Sequence, residues 1–276
     1  PFPYPAFRPG QRAMAAQVYT AIVRQKRLFA CLSTGTGKSA ATLFPALKAL
    51  GEGKTEQIFY LTARGTTQQA ALDALARMCA QGLIARWVVL TAKEKRCPQA
   101  EMRCHPDFCP RAKGYYDREL PALMDISREK RWDPARIDAL CEQYCLCPFE
   151  FSLLLCETAD VVVCDYNYAF DPLISLRRIF EAGRTPTLLI DEAHNLPSRV
   201  RDMLSCTLDS REAAAIRRES SKLRGRKDTV YQALTAYLQA LRPCQDALHL
   251  SAPVDALLSA LTPVLGEALA EGTHEL

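Results

Sequence analysis

The stretch STGTGKS, residues 33–39, combines two glycines, a lysine and flanking hydroxyls in the way needed to hold phosphate. Thr34, Gly35, Thr36 and Gly37 would form the loop. Its glycines let the backbone approach closely, and its N–H groups, with the start of a following helix, would face the negative charge. Lys38 would reach the β- and γ-phosphates of ATP, and the Ser39 hydroxyl would bind Mg²⁺. One departure from GxxxxGK[ST] stands out: Leu32 occupies the first glycine position. Far downstream, LLIDEAH (residues 188–194) is an apolar run ending in two acids. There Asp191 would hold Mg²⁺ through water, and Glu192 would orient and deprotonate an attacking water. Upstream, Phe7-Arg8-Pro9-Gly10-Gln11 lies where Gln11 could contact an adenine edge, the alternative being that Arg8 and Gln11 are simply solvated.

A second kind of chemistry is written in cysteine. Residues 95–110 read KRCPQAEMRCHPDFCP, and Cys97, Cys104, Cys109, Cys141, Cys145 and Cys147 crowd one region of a chain with 12 cysteines. No secretory signal opens the sequence, so a reducing, cytoplasmic setting (nucleoid-associated in a bacterium) is expected, with thiolate ligands favoured over disulfides. Structural zinc, usually held by paired C-x2–4-C knuckles, is one candidate for such ligands. Cys31, Cys156 and Cys164 sit in apolar runs and read as small core hydrophobes.

Stepping along the chain, the residues that must position these groups alternate between two periodicities. Residues 11–27 and 38–50 have helical spacing, as do 66–80. Short apolar runs at 28–32, 57–61, 87–90, 160–164 and 187–190 read as buried strands. That rhythm implies an α/β fold, a parallel sheet with helices on both faces. It is interrupted between about residues 93 and 151 by a Cys-, Pro- and charge-rich segment with helical stretches at 115–124 and 134–144. After about residue 200 only helical periodicity remains, at 210–241 and 253–270. Over 276 residues the composition is ordinary for a globular protein, with 49% hydrophobic and 24% charged residues and a formal net charge of +4. That charge is compatible with a nucleic-acid partner without requiring one. No apolar run is long enough to span a bilayer.

These motifs, in this order, resemble a superfamily 2 helicase motor domain of the DEAH-box kind. STGTGKS looks like motif I, LTAR (residues 61–64) like motif Ia, and DEAH like motif II, where His194 would link nucleotide state to the rest of the motor. A Cys-rich insertion closing on CPFEFS (residues 147–152), followed by VVVCDYNYAFDP (161–172), is similar to the iron–sulfur helicases of the XPD/DinG group. The resemblance implies a RecA-like domain in two parts, 1–93 and 156–205. It also implies an iron–sulfur insertion at 94–155 and the incomplete start of a helical arch-like segment at 206–276. It further implies a [4Fe-4S] cluster on Cys97, Cys104, Cys109 and Cys147, spaced C-x6-C-x4-C-x37-C, with Cys145 and Cys141 as rivals for the fourth place. His105 is read as a surface residue.

The partner implied is DNA, single-stranded or at a junction with duplex, separated in the 5′ to 3′ direction in repair or replication. Around the cysteines, Lys93, Lys95, Arg96, Arg103, Arg111, Lys113 and Arg118 outnumber Glu94, Glu101, Asp107 and Asp117, with Phe108, Tyr115 and Tyr116 interleaved. Basic groups can neutralise phosphates, and aromatic faces can stack on bases. Arg64, Tyr166 and Tyr168 are further strand-contact candidates, as is the basic run at 217–227. Nothing after Glu192 reads as the second motor domain that hydrolysis at an interface requires, so a portion of a larger helicase is expected, inactive by itself. Competing readings are a non-motor DNA-binding module with zinc or a cluster and a vestigial ATP site, and an RNA-directed DEAH protein with a zinc insertion.

Overall fold

Apolar runs that lie more than a hundred residues apart in sequence meet in one parallel sheet. The computed structural model describes residues 2–33, 36–63, 65–176, 179–180, 185–205, 210–223 and 225–241. Thr34, Gly35, Arg64 and the expected helix at 253–270 lie outside the described residues. Contacts divide the chain into two compact units, Pro1–Ser205 and Cys206–Leu276.

In the first unit, helices α1 (Gln11–Val23) and α2 (Lys38–Gly51) precede strand β1 (Ile58–Thr62), α3 (Gly65–Ala80) and β2 (Trp87–Val89). The cysteine segment contributes α4 (Lys93–Arg96), α5 (Tyr115–Ser127), α6 (Pro134–Gln143) and α7 (Pro148–Leu155). Strand β3 (Val161–Asp165), α8 (Asn167–Phe170), β4 (Thr187–Ile190), a 3-10 turn (Ala193–Asn195) and α9 (Leu196–Met203) follow. The strands pair in the order β2-β3-β1-β4, all parallel.

Strand alternation feeds two cores. Ile58, Tyr60, Val161, Val163 and Leu189 face the cluster formed with α1, α2 and α3, which includes Met14, Leu43 and Leu75. Phe59, Leu61, Val88, Val162 and Cys164 face the other side. Both faces are covered, so the strands are apolar throughout, as parallel strands between helices must be. The second core extends without a break into the cysteine segment, through Tyr115, Ala122, Ile126, Trp132, Ile137, Leu140, Leu146 and Phe151. That segment therefore has no core separate from the sheet. Arg111, itself buried, ties it down by donating to the Cys141 and Leu146 carbonyls at 2.9 and 2.7 Å.

The run at 28–32, expected as a strand, carries no ladder pairing, and the sheet ends at β4. Phe29 is 91% exposed and Cys31 is exposed, so Cys31 is not a core residue. An apolar pattern records a preference for burial, whereas a strand also needs a paired edge, and this segment has none among the described residues. Cys156 and Cys164 are buried as expected. In the second unit, the periodic stretch at 210–241 is two helices, α10 (Ser210–Leu223) and α11 (Thr229–Leu241). Ala213 and Ala233 are buried there, and the Ser220 hydroxyl donates to Asp228 at 2.9 Å. No described helix is long and apolar enough to cross a membrane.

One buried amide locks the strand starts. Gln57, fully buried, donates through Nε2 to the carbonyls of Cys156 and Ala159 at 2.6 and 2.8 Å, fixing the chain between α7 and β3. Gln57→Met fills the same volume but leaves two buried carbonyls without that donor. It should cost about 1–3 kcal/mol, read as a lowered urea midpoint with unchanged m-value.

Candidate nucleotide site and cysteine-lined cavity

Parallel pairing brings the two acid-bearing and phosphate-loop motifs to one end of the sheet. Leu61 is in register with Ile190, and the Asp191 amide donates to the Leu61 carbonyl at 2.9 Å, so Asp191 and Glu192 emerge where β1 ends. Gly37, at φ 76°, caps α2 and presents Lys38 and Ser39 from its first turn. The Lys38 ammonium lies 3.1 Å from Glu192 Oε1, both groups partly exposed. Tyr60 is hydrogen-bonded to Ser39 Oγ at 3.0 Å and to Asp191 Oδ2 at 3.2 Å. Burial first, then the neighbouring Asp191 carboxylate, raises the Tyr60 phenol well above its ordinary value. It therefore stays protonated.

Glu192 has left-handed backbone angles, φ 51° and ψ 44°, which are unfavourable for a side chain of its kind. The Tyr166 hydroxyl holds this bend by sharing its one proton between the carbonyl of Asp191 and, at 3.1 Å, that of Glu192. His194 is exposed, with Nδ1 3.4 Å from Glu192 Oε2. Gln11 departs from expectation. It is 1% exposed, its Oε1 accepts from the Arg8 amide at 2.7 Å, and its Nε2 donates to the Thr36 and Gly37 carbonyls at 2.7 and 3.1 Å. Both ends of the amide are engaged, so Gln11 braces the phosphate loop instead of offering itself to a base edge. A Cβ on Gly37 would lie 2.5 Å from Gln11 Nε2, so the closeness of loop and brace depends on glycine there.

Sequence reasoning passed over Tyr60 and misread Tyr166. Tyr60 sits inside an apolar strand and carries no motif signal. Tyr166 is fully buried and Tyr168 nearly so, with its hydroxyl on the Thr91 carbonyl, so both pack internally and are not strand contacts.

Cys97, Cys104, Cys109 and Cys147 line one cavity of about 1020 Å³, together with Lys93, Arg111, Tyr115 and Glu150. Cys97 follows α4 and Cys147 caps the start of α7. Cys141 and Cys145 do not line it. Cys141 faces the core, where burial pushes its thiol up to about 12. Cys145 occupies the left-handed position that closes α6 (φ 52°): the Leu146 amide donates to the Cys141 carbonyl at 2.9 Å and the Cys145 amide to that of Glu142 at 3.3 Å. This paired closure is normally a glycine's role. It leaves the Cys145 Sγ 3.8 Å from the Pro110 carbonyl. Among the described residues no three Cys, His, Asp or Glu side chains converge tightly enough to hold a single metal ion. His105 is exposed, as expected.

The basic excess around the cysteines is largely spent internally. Lys93 pairs with Glu150 at 2.7 Å, Arg96 with Asp138 and Arg103 with Glu101. Arg111 and Arg118 donate to carbonyls of the same region. Lys95 and Lys113 are exposed, as are Phe108 (65%) and Tyr116 (83%), whereas Tyr115 is buried.

Residues 53–213 match the DEAD_2 family. The Fanconi anemia group J protein homolog of Gallus gallus is 32% identical over 89 residues, which are 32% of this chain and 7% of that protein. Among solved structures, an XPD helicase is similar with a TM-score of 0.56 at 16% identity, over 98% of this chain and 48% of that one. A truncated XPD gives a TM-score of 0.53 at 18% identity, over 94% and 76%. The chain thus spans about half of the XPD helicase and a small part of the chicken protein.

The buried thiols make a pH prediction. Burial holds Cys156 and Cys164 well above the ordinary thiol range, so iodoacetamide at pH 7.5 should modify neither in the native protein and both after denaturation. The folded thiols stay protonated while the unfolded ones ionise near about 8.5. The unfolded state therefore loses protons first, and the urea midpoint should fall as pH rises from about 8.5 to 10.

Proposed function

The chain belongs to the DEAD_2 family, the XPD/DinG-like group of superfamily 2 helicases, and on that premise we propose that it is the first motor domain of an ATP-dependent, iron–sulfur DNA helicase. The observation that carries this reading is the convergence of Lys38, Ser39, Asp191 and Glu192, assembled from motifs more than 150 residues apart. Lys38 would meet the β- and γ-phosphates of ATP, and Ser39 and Asp191 would hold Mg²⁺, which neutralises charge on the transferring phosphate. The Lys38–Glu192 pair has a consequence for this step. Phosphate arriving at Lys38 competes for the ammonium and releases the Glu192 carboxylate, which can then orient and deprotonate a water. Glu192 is thus withheld until substrate is in place. A second motor domain would supply the arginine that completes hydrolysis and would convert it to 5′ to 3′ strand separation, in repair or replication.

A [4Fe-4S] cluster on Cys97, Cys104, Cys109 and Cys147 is part of the same proposal. Four thiols around one cavity support it. When bound, the cluster would cross-link α4, the cysteine loop and α7. DNA would be met by exposed Phe108 and Tyr116 stacking on unpaired bases, beside Lys95 and Lys113; the paired arginines are a structural frame. A reducing, cytoplasmic setting suits the thiolate ligands.

Two measurements test this. Anaerobically purified protein should carry about four iron and four acid-labile sulfide per chain. Cys147→Ser should lose most of both, while Cys145→Gly should keep both and gain about 1 kcal/mol by relieving the left-handed backbone. One zinc without sulfide would instead support the zinc-bearing module. Separately, Lys38→Ala should weaken Mg²⁺–ATP binding at least tenfold by calorimetry without lowering thermal stability. Undiminished binding would remove the nucleotide site from the proposal.

A further inference from the structure

Tyr60 stands between the two side chains assigned to Mg²⁺. It is 2% exposed, on the middle of β1, and its hydroxyl touches Ser39 Oγ at 3.0 Å and Asp191 Oδ2 at 3.2 Å. A carboxylate can only accept, and a phenol has one proton to give. The arrangement that satisfies all three groups runs one way: the Ser39 hydroxyl donates to Tyr60, and Tyr60 donates to Asp191. In this arrangement the serine proton is turned away, leaving the Ser39 lone pairs free for a cation. Asp191 is held on one oxygen by Tyr60, while its Oδ1 accepts from the Glu192 amide at 3.1 Å.

We propose that Tyr60 is a positioning residue for Mg²⁺, relaying the hydrogen bond between Ser39 and Asp191 so that both present oxygen to the metal before nucleotide arrives. This rests on the nucleotide-site reading above. Because Tyr60 comes from β1, Ser39 from the start of α2 and Asp191 from the end of β4, the relay also sets the spacing of three elements at the site.

The test compares the full chain with Tyr60→Phe, which keeps the ring and removes the hydroxyl. Binding of fluorescent N-methylanthraniloyl-ADP is measured in EDTA and then across a MgCl₂ titration. In EDTA the two proteins should bind alike, whereas the Mg²⁺ concentration for half-maximal enhancement should rise about tenfold in the variant. An unchanged Mg²⁺ titration overturns the proposal, as does an equal loss of binding with and without Mg²⁺, which marks a packing defect. If the unsubstituted chain itself binds no nucleotide, the site reading falls and Tyr60 with it. The relay can also be read without substitution, in protein labelled with ¹³Cζ-tyrosine at position 60. Its resonance should move when Mg²⁺ is added to the nucleotide-bound protein, and a stationary resonance overturns the proposal.

Discussion

The pairing of β1 with β4 is the constraint on which the nucleotide site depends. These strands are separated by more than a hundred residues, and a parallel ladder has no tight turn to set its register. The register is held from both ends. At the strand starts the Thr187 amide donates to the Gln57 carbonyl at 2.8 Å, and the Thr55 and Thr187 hydroxyls meet at 2.9 Å. At the strand ends Asp191 meets the Leu61 carbonyl and the Tyr60 phenol. A slip of one residue would carry Leu189 out of its core and swing Asp191 away from Ser39 together, because side chains alternate between faces. Folding energy and site geometry are therefore guarded by the same contacts. The position also follows a general rule for open α/β sheets, whose ligands gather beyond the carboxyl ends of the strands.

The cysteine segment answers to the same sheet by a different route. Its helices bury Ile126, Ile137, Leu140 and Phe151 against Phe59, Val88 and Val162, so its shape is inherited from the face on which it lies. Arg111 matters more as a stitch than as a charge. Its guanidinium satisfies two carbonyls at the turn where α6 ends, beside the left-handed Cys145. That turn sorts the cysteines: Cys141 goes to the core, Cys145 is spent on closing a helix, and Cys147 reaches the cavity. Three thiols within seven residues acquire three different environments because a helix ends among them.

Strain and charge are also arranged around the site. Glu192 keeps an unfavourable backbone because Tyr166, anchored under β3, over-determines it. Next to it, Arg199 donates to Asp165 at 3.0 Å and to Asn167 at 2.9 Å, joining α9 to the end of β3. The bend at the acidic pair is thereby connected to both the segment before it and the helix after it.

Much of this was legible in the chain. Residue types and order named the phosphate loop and the acidic pair, and the resemblance to iron–sulfur helicases picked out four cysteines that line one cavity. Apolar runs with their periodicity gave the parallel α/β class, since both depend on local chemistry and on which face must be dry. Pattern failed where the outcome turns on a partner elsewhere in the chain. The run at 28–32 is apolar enough for a strand but has no edge to pair with, and Gln11 has the type of a base reader but is consumed by its own loop. Tyr60 and Tyr166 look alike, as aromatics in or beside strands, yet only tertiary contact makes one a link between Ser39 and Asp191 and the other a clamp on Glu192. Basic residues counted along the sequence suggested a phosphate-binding surface, and the fold paired most of them with neighbours. Sequence determines which groups are present and how locally periodic they are; the hydrogen bonds each group ends up making are decided only when distant segments pack, because a donor's protons go to whichever acceptors the fold brings nearest.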